Sequence, residues 1–84
     1  MFEDAYRLAL ARLTAREYSA RELSAYLVRK GYDEAIAEAA TAKLAQEGRL
    51  DDTRYARMMT RHEFLRGKGP AFIQAKLRQK GVSV

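Results

Sequence analysis

The stretch at residues 18–32, Y-S-A-R-E-L-S-A-Y-L-V-R-K-G-Y, returns in weaker form 50 residues later at 68–82 as K-G-P-A-F-I-Q-A-K-L-R-Q-K-G-V. Ser19 corresponds to Gly69, Leu23 to Ile73, Leu27 to Leu77, Lys30 to Lys80, Gly31 to Gly81 and Tyr32 to Val82. In each copy a helix-starting residue is followed four and eight positions on by branched apolar residues, then by Lys-Gly and another apolar residue. An echo of fixed period predicts stacked helical units, each burying its apolar face against its neighbours.

Boundary signals around the first copy define three helices. Ser19 followed by Glu22 forms an S-x-x-E capping box, which starts a helix at Ala20, and Gly31 ends it behind the basic last-turn residues Arg29 and Lys30. Leu23 and Leu27 face inward there, flanked by Tyr26 or Val28. Upstream, Phe2, Tyr6, Ala9 and Leu13 recur at helical spacing, with Ala5, Leu8 and Leu10 widening the stripe, so residues 2–16 read as one helix. Downstream, Asp33 caps an alanine-rich helix closed by Gly48, with Ile36, Ala39, Ala40 and Leu44 inward. Residues 1–48 are expected to form a first three-helix repeat.

The remaining residues, 49–84, are expected to form a partial second repeat of two helices packed with the first as one domain. Asp51 caps a helix over 52–65, where Asp51 and Asp52 suit a helix start through capping and dipole complementarity. Its apolar stripe reads as Tyr55, Met58, Met59, His62 and Leu65, with Arg54, Arg57 and Arg61 opposite as a cationic ridge, so His62 is expected to be a half-buried packing residue. The turn R-G-K-G-P then places Pro70 at the first position of a helix ended by Gly81. The fold class is all-α, tandem three-helix repeats with about five helices. A mirrored third helix would follow Val82, so the chain reads as part of something longer, or as a unit whose apolar flank a partner covers.

Eighty-four residues bury only roughly 60–65% of the unfolded chain's surface, which favours a binding module over an enzyme. With no cysteine there is no disulfide framework or thiolate metal site. No apolar run approaches the roughly 20 residues of a membrane span, and the acidic start M-F-E-D-A-Y is unlike a signal peptide, so a cytoplasmic protein without membrane contact is expected. Charge is polarised: residues 1–53 carry eight Lys/Arg against ten Asp/Glu, whereas residues 54–84 carry eight against Glu63 alone. Such a basic half suits a polyanion or an acidic protein surface, the plainer alternative being a solubilising surface.

Catalytic signatures are missing from the pattern. There is no carboxylate pair, Ser/His/Asp set, phosphate-binding loop or metal-ligand spacing, so no catalysis, cofactor, metal or small-molecule substrate is expected. The G-K-G-P turn has two readings: a tight helix–helix connection, which accounts for Gly67, Gly69 and Pro70, or an anion site using Arg66 and Lys68 beside a helix N-terminus. The tyrosines fall at core spacings or helix ends and read mostly as packing residues.

Taken together, Y-S-A-R-E-L, L-V-R-K-G-Y, L-D-D-T-R-Y-A, R-G-K-G-P-A-F-I and L-R-Q-K-G-V resemble, in this order and spacing, the bacterial RecX regulatory proteins, over nearly the whole chain. Asp51, Asp52, Arg54 and Tyr55 match that family's inter-repeat motif, and Gly67, Lys68, Gly69 and Pro70 its second-repeat turn. The resemblance implies tandem three-helix repeats that bind RecA nucleoprotein filaments in their helical groove, restrain recombinase and ATPase activity in repair, recombination and the SOS response, and have some affinity for DNA. Members of the family continue further than this chain. The expected filament- or DNA-binding residues are Arg54, Arg57, Arg61, Arg66, Lys68, Lys76, Arg78 and Lys80. The alternative is a small basic helical module using residues 52–65 directly on DNA, and a third reading is a structural unit without activity of its own.

Overall fold

Five helices form where the caps place them, in a computed structural model that describes residues 1–82: α1 (Phe2–Ala15), α2 (Ala20–Arg29), α3 (Glu34–Gln46), α4 (Asp52–Leu65) and α5 (Pro70–Gln79). The last two positions of the expected second repeat lie outside the described residues. The capping box at Ser19 is complete, the Asp33 carboxylate accepts from the Ile36 N–H, and Asp51 accepts from both Thr53 and Arg54. Pro70 occupies the start of α5, where its missing N–H leaves no bond unmade.

The 50-residue echo is an echo of backbone. At the end of α2 the Tyr32 N–H reaches back to the Leu27 carbonyl, and at the end of α5 the Val82 N–H reaches Leu77 in the same way. Both turns pass through a glycine of positive φ, Gly31 at 106° and Gly81 at 82°, a region costly for any residue with a Cβ. The period also spans the helices before these stretches, since α1 and α4 are each 14 residues long and start 50 positions apart.

Two apolar clusters result. In the first, α3 packs against both α1 and α2, and the fully buried Ala5, Ala9, Ala37 and Ala40 let the helices approach closely around Leu23, Leu27 and Leu44. In the second, Tyr55 and Met59 of α4 meet Ile73 and Leu77 of α5, with Val82 closing the end. The molecule is elongated, 42 × 19 × 18 Å. Its radius of gyration of 13.4 Å exceeds the value of about 12 Å that a compact chain of this length would have.

Two expected faces, those of α3 and α4, are rotated from their predicted positions. In α4 the buried set is Tyr55, Met59 and Glu63; Met58, His62 and Leu65 are exposed, so His62 is a surface residue and not a packing one. Strict i, i+4, i+8 spacing governs that helix, matching Ala5, Ala9 and Leu13 of α1, and Lys76 supplies the charge that lets Glu63 occupy the third place. In α3 the buried residues are Ala37, Ala40, Thr41 and Leu44, while Ala39 is exposed and Ile36 only partly covered, because α3 is gripped from two sides. In α2 the face is the expected one: Leu23 and Leu27 are buried and Tyr26 flanks them partly covered, while Val28 is exposed.

Candidate functional site

Eight basic residues of α4, α5 and their turn are the expected binding set, and the fold sorts them by what already holds their charge. Arg54 is held by the fold, although its side chain is only partly covered. Its Nε donates to Glu17 Oε2 at 2.7 Å, and its terminal N–H groups reach the Gly48 and Arg49 carbonyls at 3.4 and 3.2 Å, so it ties α4 to the turn that ends α3. Lys80 is drawn to Glu22, 3.4 Å away. Lys76 and Arg66 converge on Glu63, Lys76 Nζ lying 2.5 Å from Oε2 and Arg66 3.5 Å from Oε1.

Glu63 is the one carboxylate of the basic half and its side chain is fully covered. The Lys76 hydrogen bond, acting against burial and helped by the Lys76 and Arg66 charges, holds its pKa below the ordinary carboxylate value. The acid is therefore ionised and internally satisfied, and two of the eight cations are spent on it.

Arg57, Arg61 and Arg78 are exposed, and among the described residues none of them pairs with a carboxylate. Lys68 is likewise without one, its Nζ resting 4.9 Å above the Phe72 ring. Arg57 and Arg61 stand one turn apart on the outer side of α4 and border two shallow grooves, one walled by Thr60 and Phe64 and the other by Met58 and Leu65. Phe64 and Leu65 are 69% and 77% exposed. This helix face offers unpaired guanidinium groups with apolar shoulders, an arrangement able to bind an anionic, partly apolar surface.

Where the two units meet, the contacts are polar. Asp52 Oδ1 accepts the Ala20 N–H at 2.8 Å, so an acid of α4 caps the first turn of α2. Ser19 Oγ, while accepting from Glu22, donates to the Lys80 carbonyl at 2.8 Å and so caps the end of α5. Arg16 stacks over Tyr18 at 3.7 Å and pairs with Glu22 at 3.2 Å. Burial opposes ionisation of Glu22, but Arg16, the Ser19 N–H and Lys80 outweigh it and leave the pKa lowered. Tyr55 is fully buried, its hydroxyl without a partner among the described residues; desolvation, reinforced by the Glu22 charge, pushes its pKa up to about 12.

Sequence reasoning missed two residues here, Asp52 as a bridge between units and Glu63 as a buried acid. For Glu63 a signal existed: the 50-residue period sets it against Leu13, an inward position. For Asp52 the only signal was its place in the inter-repeat motif, which names no contact, and its partner is a backbone N–H 32 residues away.

Comparison with known proteins agrees with this architecture. The model of the first three-helix domain of RecX matches residues 5–44, and that of the second three-helix domain matches residues 51–84. A regulatory protein RecX of Halorhodospira halophila is 42% identical over 75 residues, covering 89% of this chain and 47% of its own. Those of Acidithiobacillus ferrooxidans and Mycolicibacterium vanbaalenii are 40% and 42% identical over 81 residues, covering 54% and 44% of their own lengths. The chain spans about half the length of the curated relatives it matches. Among the described residues no helix is long and apolar enough to cross a membrane.

Proposed function

This chain belongs to the RecX family, and from that premise we propose that it binds the nucleoprotein filament of RecA on DNA in the cytoplasm and restrains recombinase and ATPase activity, without catalysis of its own. The observation that carries the reading is the outer face of α4, where Arg57 and Arg61 pair with no carboxylate among the described residues and stand between exposed apolar side chains. Lys68 and Arg78 extend the cationic surface. Arg54, Lys76 and Lys80 contribute to its field while their side chains hold the fold together, and Arg66 stands between the two roles. The mechanism is steric and electrostatic: occupation of the filament groove blocks strand exchange and biases the filament toward disassembly. DNA is met as part of the filament.

The test is binding of the 84-residue chain to RecA assembled on single-stranded DNA and to the same DNA without RecA, at one salt concentration, with filament ATPase followed in parallel. Preferential filament binding with reduced ATPase is expected. Equal affinity for bare DNA, falling steeply with salt, would replace this reading with direct DNA binding. Replacing both Arg57 and Arg61 by Glu is expected to weaken filament binding roughly tenfold to thirtyfold, about 1 kcal/mol for each reversed contact, with unchanged helicity.

A further inference from the structure

One arginine of α4 stands in two sets of contacts at once. Arg54, Arg57, Met58, Arg61, His62 and Leu65 line a single shallow groove along the helix. That side of the unit is open by its own geometry. In the first unit, which has three helices in place, the counterpart positions Asp4, Arg7, Ala11, Arg12 and Ala15 are exposed too, and Leu8, the counterpart of Met58, is only partly covered. A third helix covers a different side. There α3 reaches Tyr6 through Glu47, and the counterpart of Tyr6 is Ala56, which is no part of this groove.

Arg54 is also a tie of the joint. The packed helix pairs lie within one unit or the other, the two apolar clusters share no residue, and polar groups tie residues 17–22 to the second unit. Two ties use backbone groups, Asp52 to the Ala20 N–H and Ser19 to the Lys80 carbonyl. The other two are ion pairs, Arg54 with Glu17 and Lys80 with Glu22. Of these residues Arg54 alone also lines the groove. Its side chain is 43% exposed, and its three nitrogens already engage Glu17 and the Gly48 and Arg49 carbonyls. A carboxylate in the groove that takes the guanidinium as a two-pronged fork competes with these acceptors. Glu17, itself 30% exposed, is the charged one among them, and an ion pair this open to water is weak.

We infer that Arg54 couples the groove to the joint: an acidic surface seated on Arg57 and Arg61 draws Arg54 from Glu17, and the contact between the units loosens. The inference rests on the outer face of α4 being the binding face, as proposed above, and adds what binding there does. The partner's chemistry is a carboxylate-bearing protein surface, since Met58 and Leu65 give the groove apolar walls that a sugar–phosphate backbone does not fill. Coupling of this kind is reciprocal. A change that frees Arg54 from Glu17 therefore strengthens binding in the groove.

Removing any acid favours anion binding, so the test compares two variants of equal charge. Glu17→Gln releases Arg54, whereas Glu34→Gln removes an exposed acid of α3 that pairs with no cation among the described residues. Affinity for the RecA filament, with poly-glutamate as a second probe, is expected to be about threefold higher for Glu17→Gln than for Glu34→Gln, and equal for the two on an Arg54→Gln background. The Ala20 amide reports on the joint itself. It lies in the first turn of α2, where no intrahelical acceptor exists, so its protection from hydrogen exchange comes from Asp52 of the other unit. Exchange labelled in the complex and read on the released chain is expected to be faster at Ala20 with either probe bound, and faster in the free Glu17→Gln chain. Equal affinities of the two single variants, or an Ala20 amide no faster in the complex, would overturn the coupling. If circular dichroism shows Glu17→Gln to be unfolded, Ala20 exchange in the natural chain decides. A chain that ignores the filament but shows both effects with poly-glutamate would overturn the filament reading alone. The same effects with single-stranded DNA in place of poly-glutamate would overturn the carboxylate partner in favour of phosphate.

Discussion

Glu63 shows how one residue inverts the reading of a helix face. A carboxylate at an inward position contradicts a hydrophobic pattern unless its charge is answered, and Lys76 and Arg66 answer it from α5 and from the end of α4. Because the folded-state pKa lies below its ordinary value of 4.5, the ion contributes stability fully above that value and loses it as pH falls through the lower, folded value. Glu22 and Glu47 share that sign, Glu47 chiefly through the Tyr6 hydroxyl. Urea midpoints measured from neutrality downward are therefore expected to drop below about pH 4.5. Glu63→Gln should lower the midpoint at neutrality and flatten the acid limb, and an acid limb of unchanged slope would show that the pair does not support the fold. The rotation of the α4 face was legible in part. Tyr55, Met59 and Glu63 follow the register of α1, yet the apolar appearance of Met58 and Leu65 points the other way, and only the presence of Lys76 decides between them.

At the scale of the element, caps explain why five helices begin and end where they do, and nearly all of that was readable. Ser19, Asp33 and Asp51 act within a few residues of themselves, so no tertiary knowledge is needed to place them. The two Lys-Gly turns share a backbone but not a neighbourhood. Gly31 has open space where a Cβ would lie, whereas Gly81 is pressed against Arg21 of the other unit. Replacement by alanine at Gly31 is expected to cost only the strain of positive φ, about 1–2 kcal/mol. The same replacement at Gly81 should cost more, since Arg21 must also move and the Ser19–Lys80 bond with it. Thermal unfolding of the two variants compares these directly; equal losses would mean that the Arg21 stem yields freely.

On the scale of the whole molecule, the first unit has a three-helix core and the second a smaller two-helix cluster, and what joins them is mainly polar. Tyr55 is the large side chain at this joint, and its orphaned hydroxyl is a local cost of about 1–3 kcal/mol. Tyr55→Phe is therefore expected to leave stability unchanged or raise it, while Tyr55→Ala should lose about 3–5 kcal/mol of packing. A clear loss in the phenylalanine variant, read from denaturant midpoints, would mean that the hydroxyl has a partner in solution. Arg54 lines one groove together with Arg57 and Arg61, yet only Arg54 is held by a carboxylate of the first unit, Glu17. That difference in partners was not legible in the sequence, where Arg54, Arg57 and Arg61 look alike.

The sequence by itself determined the helices, their caps and the 50-residue period, because each rests on interactions between residues close along the chain. The family likeness was likewise written in its motifs. The tertiary structure alone decided which cations remain free, because a charge is spent or available according to partners that are distant in sequence: Glu17 lies 37 residues from Arg54, and Glu63 lies 13 from Lys76. It also gave Asp52 its place as the cap of another unit's helix, since a backbone N–H carries no signature in the residue that bears it.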